Sequence, residues 1–214
     1  MRTGIFAIIL CFLSIVTATV SAYPTPAGVQ QADQWTLTVT YTQPEQITFR
    51  MADSDQTQRF WYVIVTLTNE SPFDEVSFYP LCQLVTDTFQ VIPAGKNVPR
   101  SVFEAIKLKH QGSFPFLESL DFADRRIAHG KDNTRDFAII WPDFDPKAKE
   151  VSLFIAGLSN ETVVVLHPVL KDELGDPKQI FLQKTLQLKF SVAGDEALRA
   201  SAVMKGIERN WVMR

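Results

Sequence analysis

The chain has 214 residues, of which 46% are hydrophobic and 21% are charged, and its formal net charge is −3 at pH 7. This mildly acidic balance excludes a typical nucleic-acid or anionic-membrane surface, because both need clustered positive charge. A chain of this size buries roughly 70% of its unfolded surface, so we expect it to fold without a disulfide.

The N-terminus has the pattern of a signal peptide. Arg2 precedes an apolar run at residues 5–16, and the small-residue stretch that follows ends in Val20-Ser21-Ala22. Signal peptidase accepts small side chains at these positions, so we predict cleavage after Ala22. The run is too short to span a bilayer core of about 30 Å comfortably, although an uncleaved anchor is the alternative. The sequence therefore predicts a secreted or periplasmic protein with no permanent membrane span after cleavage.

Strand patterns dominate the rest of the chain. Residues 23–33 are rich in proline and glutamine and predict an extended lead-in, whereas residues 34–214 predict a single domain. Apolar and polar side chains that alternate with a period of two predict half-buried strands, and the apolar run at residues 60–67 predicts a central strand. We predict strands at residues 35–41, 47–51, 60–67, 75–79, 82–86, 88–91, 136–141, 150–156, 162–166 and 179–192.

The alternation is clearest at residues 179–192. One face carries Ile180, Leu182, Leu186, Leu188, Phe190 and Val192. Phe181 lies on the opposite, polar face, so we expect something to cover it there. Lys184 interrupts the apolar row, which indicates a bulge or a sheet edge at that position.

One helix is predicted, at residues 98–109. Asn97 is the expected cap, and Pro99 fits the first turn, where a missing N–H costs nothing. Three apolar side chains fall on one face: Val102, Phe103 and Ile106. Gly112 is the expected stop signal after the basic residues of the last turn.

Residues 195–214 allow two structures. An apolar stripe at helical spacing is formed by Leu198, Val203, Ile207 and Trp211. The alternative is a returning strand, which we favour because Gly194 and Asp195 make a natural turn before it. The many short strands, the regular turns and the single helix together predict a mainly β fold. We expect an antiparallel β-sandwich, with a closed barrel as the alternative.

Two segments carry a resemblance to a known class of protein. Residues 60–69, in which an aromatic and aliphatic strand runs into Thr-x-Asn and a polar turn, resemble the corresponding part of bacterial exported proteins with an immunoglobulin-like sandwich. Asp143-Phe144-Asp145-Pro146, together with residues 151–160, resembles the later half of uncharacterised proteins of this kind. The resemblance covers residues 34–192 and implies the fold and export, but it carries no catalytic residue over.

Motifs for catalysis or cofactor binding are absent from the sequence. His110, His129 and His167 form no metal-binding spacing, and neither a nucleophile elbow nor a phosphate-binding glycine motif occurs. Cys82 is the only cysteine after the predicted cleavage, and its apolar neighbours predict a buried thiol in a strand, with intermolecular pairing or a reactive thiol as the alternative. We therefore predict no catalytic, cofactor-binding or metal-binding residue.

Acidic loops and sequons are the remaining polar motifs. Acids lie two residues apart at Asp53 and Asp55 and again at Asp143 and Asp145. Such loops can bind calcium, but neither has the glycine or the distal glutamate of an EF-hand, so turn and cap roles are favoured. Asn69 and Asn160 begin glycosylation sequons, which we interpret as turn residues.

Two classes of function are compatible with these observations. The first is a non-enzymatic exported binding or structural module of the cell envelope, whose partner would be another envelope protein or a glycan and not a nucleic acid. The second is an exported enzyme or a calcium-dependent domain with a site built from loops. A cluster of His and Asp in one cleft would favour the second class, and an exposed aromatic patch would favour the first.

Overall fold

The computed structural model describes residues 24–51, 56–121, 124–194 and 196–214, so the predicted signal peptide and the Asp53–Asp55 pair lie outside the described residues. The chain is mainly β, as the alternation predicts, with a helix α1 at Arg100–His110 and short 3₁₀ helices at Lys131–Asn133 and Glu196–Ser201. The strands are β1 Thr38–Tyr41, β2 Glu45–Arg50, β3 Thr57–Thr68, β4 Glu75–Ser77, β5 Leu81–Thr86, β6 Val91–Pro93, β7 Glu118–Ser119, β8 Arg126–Ala128, β9 Arg135–Pro142, β10 Glu150–Ala156, β11 Thr162–Lys171, β12 Pro177–Val192 and β13 Met204–Met213.

The first large sheet is built around β3. Its strand order is β1-β3-β9-β7, and β2 pairs with β3 on the same edge as β1. Both strands fit on one edge of β3 because β1 pairs with its second half and β2 pairs with its first half. All these pairs are antiparallel except β7 with β9.

The second large sheet is built around β12. Its order is β11-β12-β10-β5-β6, and β13 also pairs with β12. The second half of β12 lies between β10 and β13, whereas its first half pairs with β11. A separate two-stranded sheet joins β4 and β8. The two halves of β12 therefore have very different surroundings.

The two large sheets pack face to face over a shared hydrophobic core. Trp61 and Trp141 lie opposite each other on β3 and β9, and both are fully buried. The second sheet contributes alternate residues of β10 and β12, such as Leu153 and Leu188, to the same core. The predicted sandwich-like arrangement is confirmed, and the predicted tail strand is present as β13.

Helix α1 adds a third layer on the outer face of the first sheet. Val102 and Ile106 are fully buried, and they belong to a cluster with Phe60, Tyr62 and Ile64 of β3. Because the sandwich core covers one face of β3 and α1 covers the other, the predicted central strand at residues 60–67 is confirmed.

Three details of the prediction were wrong. Pro99, and not Asn97, occupies the N-cap position of α1, and Asn97 has a φ of 58°, which belongs to a turn. Gly112 does not have the positive φ of a helix-ending glycine. Gln111 is the C-cap of α1 instead, and its N–H bonds to the Leu108 carbonyl. The strand predicted at residues 88–91 begins only at Val91, as β6, because Phe89 has a φ of 66° and turns the chain back before it. In each case a local turn geometry overrode the residue preference.

Candidate functional site

The β-hairpin formed by β11 and the first half of β12, residues 162–183, carries a group of exposed apolar side chains, and we call it the arm. Within the described residues, β11 has β12 as its only sheet neighbour. The hairpin closes at residues 172–176, where Asp172 accepts hydrogen bonds from the N–H groups of Leu174 and Asp176. A two-stranded hairpin is only marginally stable in water by itself.

The arm begins at an interruption between β10 and β11. Ile155 lies opposite Leu186 and Thr162 lies opposite Gln183, so residues 156–161 face only residues 184–185 of β12. Gly157 makes this bulge possible, because its φ is +87° and an added Cβ would lie 2.3 Å from the Tyr79 carbonyl oxygen. The bulge separates the arm from the sandwich.

A buried ion pair closes the bulge. The Nζ of Lys184 lies 2.8 Å from Oε2 of Glu161, and Oε1 of the same carboxylate accepts the N–H of Ala27 at 2.6 Å. Burial by itself raises the pKa of Glu161, but the hydrogen bonds from Lys184 and Ala27 outweigh this and hold it below its usual value. The sequence predicted a bulge or a sheet edge at Lys184, but β12 runs unbroken through that position. The irregularity lies in the opposing segment 156–161, which Lys184 helps to organise.

The arm exposes apolar side chains. Leu174 is 89% exposed and Phe181 is 69% exposed. The other exposed apolar residues of the arm are Val164, Leu166, Val169 and Leu170. Val164 lies opposite Phe181, and on the other face Val165 lies opposite Ile180. Neither face of the arm is polar throughout, which is unusual for a hairpin in water and marks interaction surfaces.

One edge of the arm has unpaired backbone groups. The N–H of Lys184 bonds to the carbonyl of Glu161, on the β11 side of β12. Backbone groups of alternate residues in a strand point to the same edge, so those of Leu182 and Ile180 also point to β11. Gln183 faces the opposite edge, where it exchanges two hydrogen bonds with Arg214. Gln179 and Phe181 therefore direct their N–H and C=O groups to the same edge as Gln183. No strand pairs with them there within the described residues.

A cavity of about 540 Å³ opens where β13 ends and this unpaired edge begins. Leu182 and Trp211 contribute to its lining, and Pro24 and Pro26 of the lead-in cover it from another side. The guanidinium group of Arg214 lies 4.1 Å from the ring centroid of Phe154 at the same place. An apolar cavity with a cation at its rim therefore adjoins the unpaired edge of the arm.

A second polar cluster joins α1 to the first sheet. The Tyr62 hydroxyl lies 2.9 Å from Nε2 of His110, 3.1 Å from Oε2 of Glu45 and 2.9 Å from Nζ of Lys109. Burial raises the pKa of Tyr62, whereas that of Glu45 is lowered because hydrogen bonds from Lys109 and Tyr62 outweigh its burial. These contacts satisfy the buried hydroxyl, so the cluster has a structural explanation.

A third cluster contains the acids of the predicted alternative calcium loop. Asp143 accepts hydrogen bonds from Nη1 of Arg59 at 2.9 Å and from Nε1 of Trp61 at 2.8 Å. Arg199, 7% exposed, stacks on Phe144 with 4.2 Å between guanidinium and ring centroid. Two of the Arg199 guanidinium nitrogens have no hydrogen-bond partner among the described residues. A carboxylate held between two arginines is a poor calcium ligand, so Asp143 has a structural role.

Asp145, the other acid of this loop, also makes a hydrogen bond within the loop. Asp145 accepts the N–H of Lys147, which lowers the pKa of the Asp145 carboxyl. Over the part of the chain that the structure describes, no group of three or more His, Cys, Asp or Glu residues is arranged to hold a metal ion.

The remaining candidate residues of the sequence have structural partners. The ring of His129 bonds to the Ser71 carbonyl through Nδ1, and Nδ1 of His167 accepts the N–H groups of Val169 and Leu170. The predicted buried thiol is confirmed, because Cys82 lies inside β5 and its burial raises the pKa to about 12. No two of these residues share a site.

The sequon asparagines have turn roles, as predicted. Asn69 is fully buried and donates its side-chain N–H groups to the carbonyls of Phe73 and Ile127. Asn160 accepts the N–H of Trp35 and donates to the Asp33 carbonyl. A glycan on either side chain would remove these bonds.

The period-two pattern of the sequence predicts one apolar face of the arm but not the full length of β11. It predicted that something covers Phe181, and within the described residues nothing does. The predicted strand ends at Leu166 because His167-Pro168 is typical of a strand end. In the structure β11 continues to Lys171, with a register shift after Leu166. The apolar pair Val169-Leu170 after the proline was the signal that could have revealed the extension.

Comparisons with known proteins give no relative for this chain. No family model matches it, no curated protein matches it, and no solved structure matches it. Among the described residues, no helix has the length and apolar character that a membrane span requires.

Proposed function

We propose that the chain is a non-enzymatic, exported binding module of the cell envelope, and that the arm is the element that binds its partner protein. The observation that carries this proposal is the set of apolar side chains, led by Leu174 and Phe181, that the arm exposes. A hairpin gains little stability from its own pairing, so an arm with two apolar surfaces gains most from a partner that covers them.

The chemistry of the arm favours a protein as the partner. Its exposed side chains are mainly aliphatic, with Phe181 as the one aromatic ring among them. Glycan sites use aromatic faces together with polar groups, and nucleic-acid sites need basic clusters. The hairpin tip instead carries the acids Asp172, Glu173 and Asp176 beside Lys171 and Lys178. An apolar protein surface is the best match.

Two further features support the proposal. The signal-peptide pattern at residues 1–22 supports export, and the resemblance to exported proteins with immunoglobulin-like sandwiches supports a module that binds through its strands and loops. The polar clusters around Tyr62 and Asp143 are accounted for by the packing of α1 and of the 3₁₀ helix at Glu196–Ser201.

Site-specific photo-crosslinking in the native host tests the proposal. A benzophenone amino acid would replace Phe181 in the arm, which is 69% exposed. A matched probe would replace Phe89, a more exposed phenylalanine (92%) at a hairpin turn outside the arm. We expect a discrete crosslinked protein of constant mass from position 181 and none from position 89. Equal crosslinking from both positions, or from neither, would contradict the proposal.

A further inference from the structure

We infer that the arm binds an extended segment of the partner, which adds as a strand to the unpaired edge of β12. This inference rests on the proposed function and specifies its mode. The edge groups of Gln179 and Phe181 point in the direction of the bonds that Gln183 makes with Arg214, 2.8 and 3.1 Å long. A segment placed in line with β13 would continue the same ladder along the arm.

The existing ladder fixes the direction and length of that segment. β13 is antiparallel to β12 and ends opposite Lys184, and Arg214 continues its ladder opposite Gln183, so a segment in line with it would run from the cavity towards the hairpin tip. Residues 177–182 offer about 20 Å of edge, which is a normal strand length. Pro177 has no N–H, so the pairing would end there.

The cavity selects a side chain at the N-terminal end of the segment. The residue opposite Leu182 would project beside Leu182 and Trp211 into a volume of about 540 Å³ with a largely apolar lining. This volume accommodates an aromatic or a large aliphatic side chain. Backbone hydrogen bonds then supply general affinity and the cavity supplies specificity, as in other strand-addition sites.

Charges at the two ends of the edge also select the segment. Arg214 lies at the cavity, whereas Asp172, Glu173 and Asp176 outnumber the two lysines at the hairpin tip. A segment running from cavity to tip would therefore carry an acid at its N-terminal end and a base at its C-terminal end. Electrostatic complementarity of this kind fixes the orientation of a bound strand.

A synthetic peptide with these properties is the probe. We choose Phe-Glu-Val-Thr-Val-Lys-amide with a fluorescent label, in which Phe lies opposite Leu182 and the backbone groups of Glu and Thr would face β12, since Arg214 already occupies the position opposite Gln183. Binding to the mature chain is measured by anisotropy. Methylation of the Glu and Thr nitrogens removes donors that face β12, whereas methylation of the two valine nitrogens removes outward-facing donors. We expect at least tenfold weaker binding for the first peptide and less than twofold change for the second.

The protein side has a matched pair of variants. Gln179→Pro removes an N–H that faces the unpaired edge and leaves the ladder with β11 intact, whereas Gln179→Thr keeps that N–H. We expect about tenfold weaker peptide binding for Gln179→Pro and wild-type binding for Gln179→Thr. The peptide comparison leaves the protein unchanged, so it decides the question if Gln179→Pro disturbs the arm.

The outcomes separate this inference from the proposed function. Absence of peptide binding at millimolar concentration, or equal loss with both methylated peptides, would overturn strand addition. If position 181 still crosslinks to a partner in that case, the arm binds through its side chains and the proposed function stands. If position 181 also fails to crosslink, both are wrong.

Discussion

Lys184 and Glu161 form an ion pair, with 2.8 Å between Nζ and Oε2. The pair lies at the junction of the two halves of β12, between the half flanked by β10 and β13 and the half that pairs with β11. Their side chains are only 8% and 6% exposed. Lys184 also lies over the ring of Trp211, which lines the cavity. The pair therefore couples the lead-in, the bulge and the root of the arm.

Breaking this pair should destabilise the protein strongly. Glu161→Gln leaves the Lys184 ammonium buried without its counter-ion, and we expect a loss of about 3–5 kcal/mol in the free energy of unfolding. The double variant Glu161→Gln/Lys184→Met should recover most of that loss, because it buries no unpaired charge. Urea unfolding of the single and double variants measures the coupling. Additive losses would show that the pair does not act as a unit.

The same pair should make stability depend on pH in the acid range. The folded-state pKa of Glu161 is held below the unfolded value of about 4.3, so the folded state binds fewer protons than the unfolded state. Its contribution is present above that unfolded value and is lost as the pH falls through the folded-state pKa. Urea unfolding between pH 7 and pH 3 should show a steeper decline for the wild type than for the double variant. Parallel curves would contradict this.

Gly157 should be far less tolerant of substitution than Gly175. Both have a φ of +87°, but a Cβ at Gly157 would lie 2.3 Å from the Tyr79 carbonyl oxygen, whereas Gly175 has no atom within 4 Å of that position. Gly175→Ala therefore introduces only backbone strain, of about 1 kcal/mol. Gly157→Ala adds a clash with the main chain, and we expect a total of at least about 2–3 kcal/mol. Thermal unfolding of the two variants tests the difference, and equal losses would contradict it.

Removing the Tyr62 hydroxyl should loosen the C-terminal end of α1. Tyr62→Phe deletes the group that contacts His110, Lys109 and Glu45, and we expect a loss of about 1–2 kcal/mol in the free energy of unfolding. Tyr79→Phe is the control, since Tyr79 is 64% exposed and should lose almost nothing. Hydrogen exchange of the amides near His110 should rise only in the first variant. Unchanged exchange there would mean that the hydroxyl does not hold the helix.

Cys82 should be unreactive in the folded protein. Its thiol is buried and its pKa is raised to about 12, so the thiolate that attacks disulfide reagents is scarce. Labelling with an aromatic disulfide reagent should proceed at the rate of unfolding and become rapid in urea. Fast labelling of the native chain would show that β5 opens locally.

The sequence alone determined the sheet content and much of the core. The alternation at residues 150–156 and the apolar run at residues 60–67 each became a strand with the expected buried side chains, because burial of one face or both follows directly from strand geometry. The helix was also recognisable from the spacing of Val102 and Ile106. These features depend on residues close together in the sequence, so the spacing of apolar side chains predicts them.

Only the tertiary structure decided where each face lies. Ile180 and Leu182 continue the apolar row of Leu186 and Leu188, yet they belong to the arm and are only half-buried. The difference arises because the bulge at residues 156–161 redirects the partner strand, and because within the described residues no strand pairs with residues 177–182 on the edge opposite β11. Period-two alternation predicts that one face of a strand is apolar. Contacts with distant segments determine whether the core or a partner covers that face.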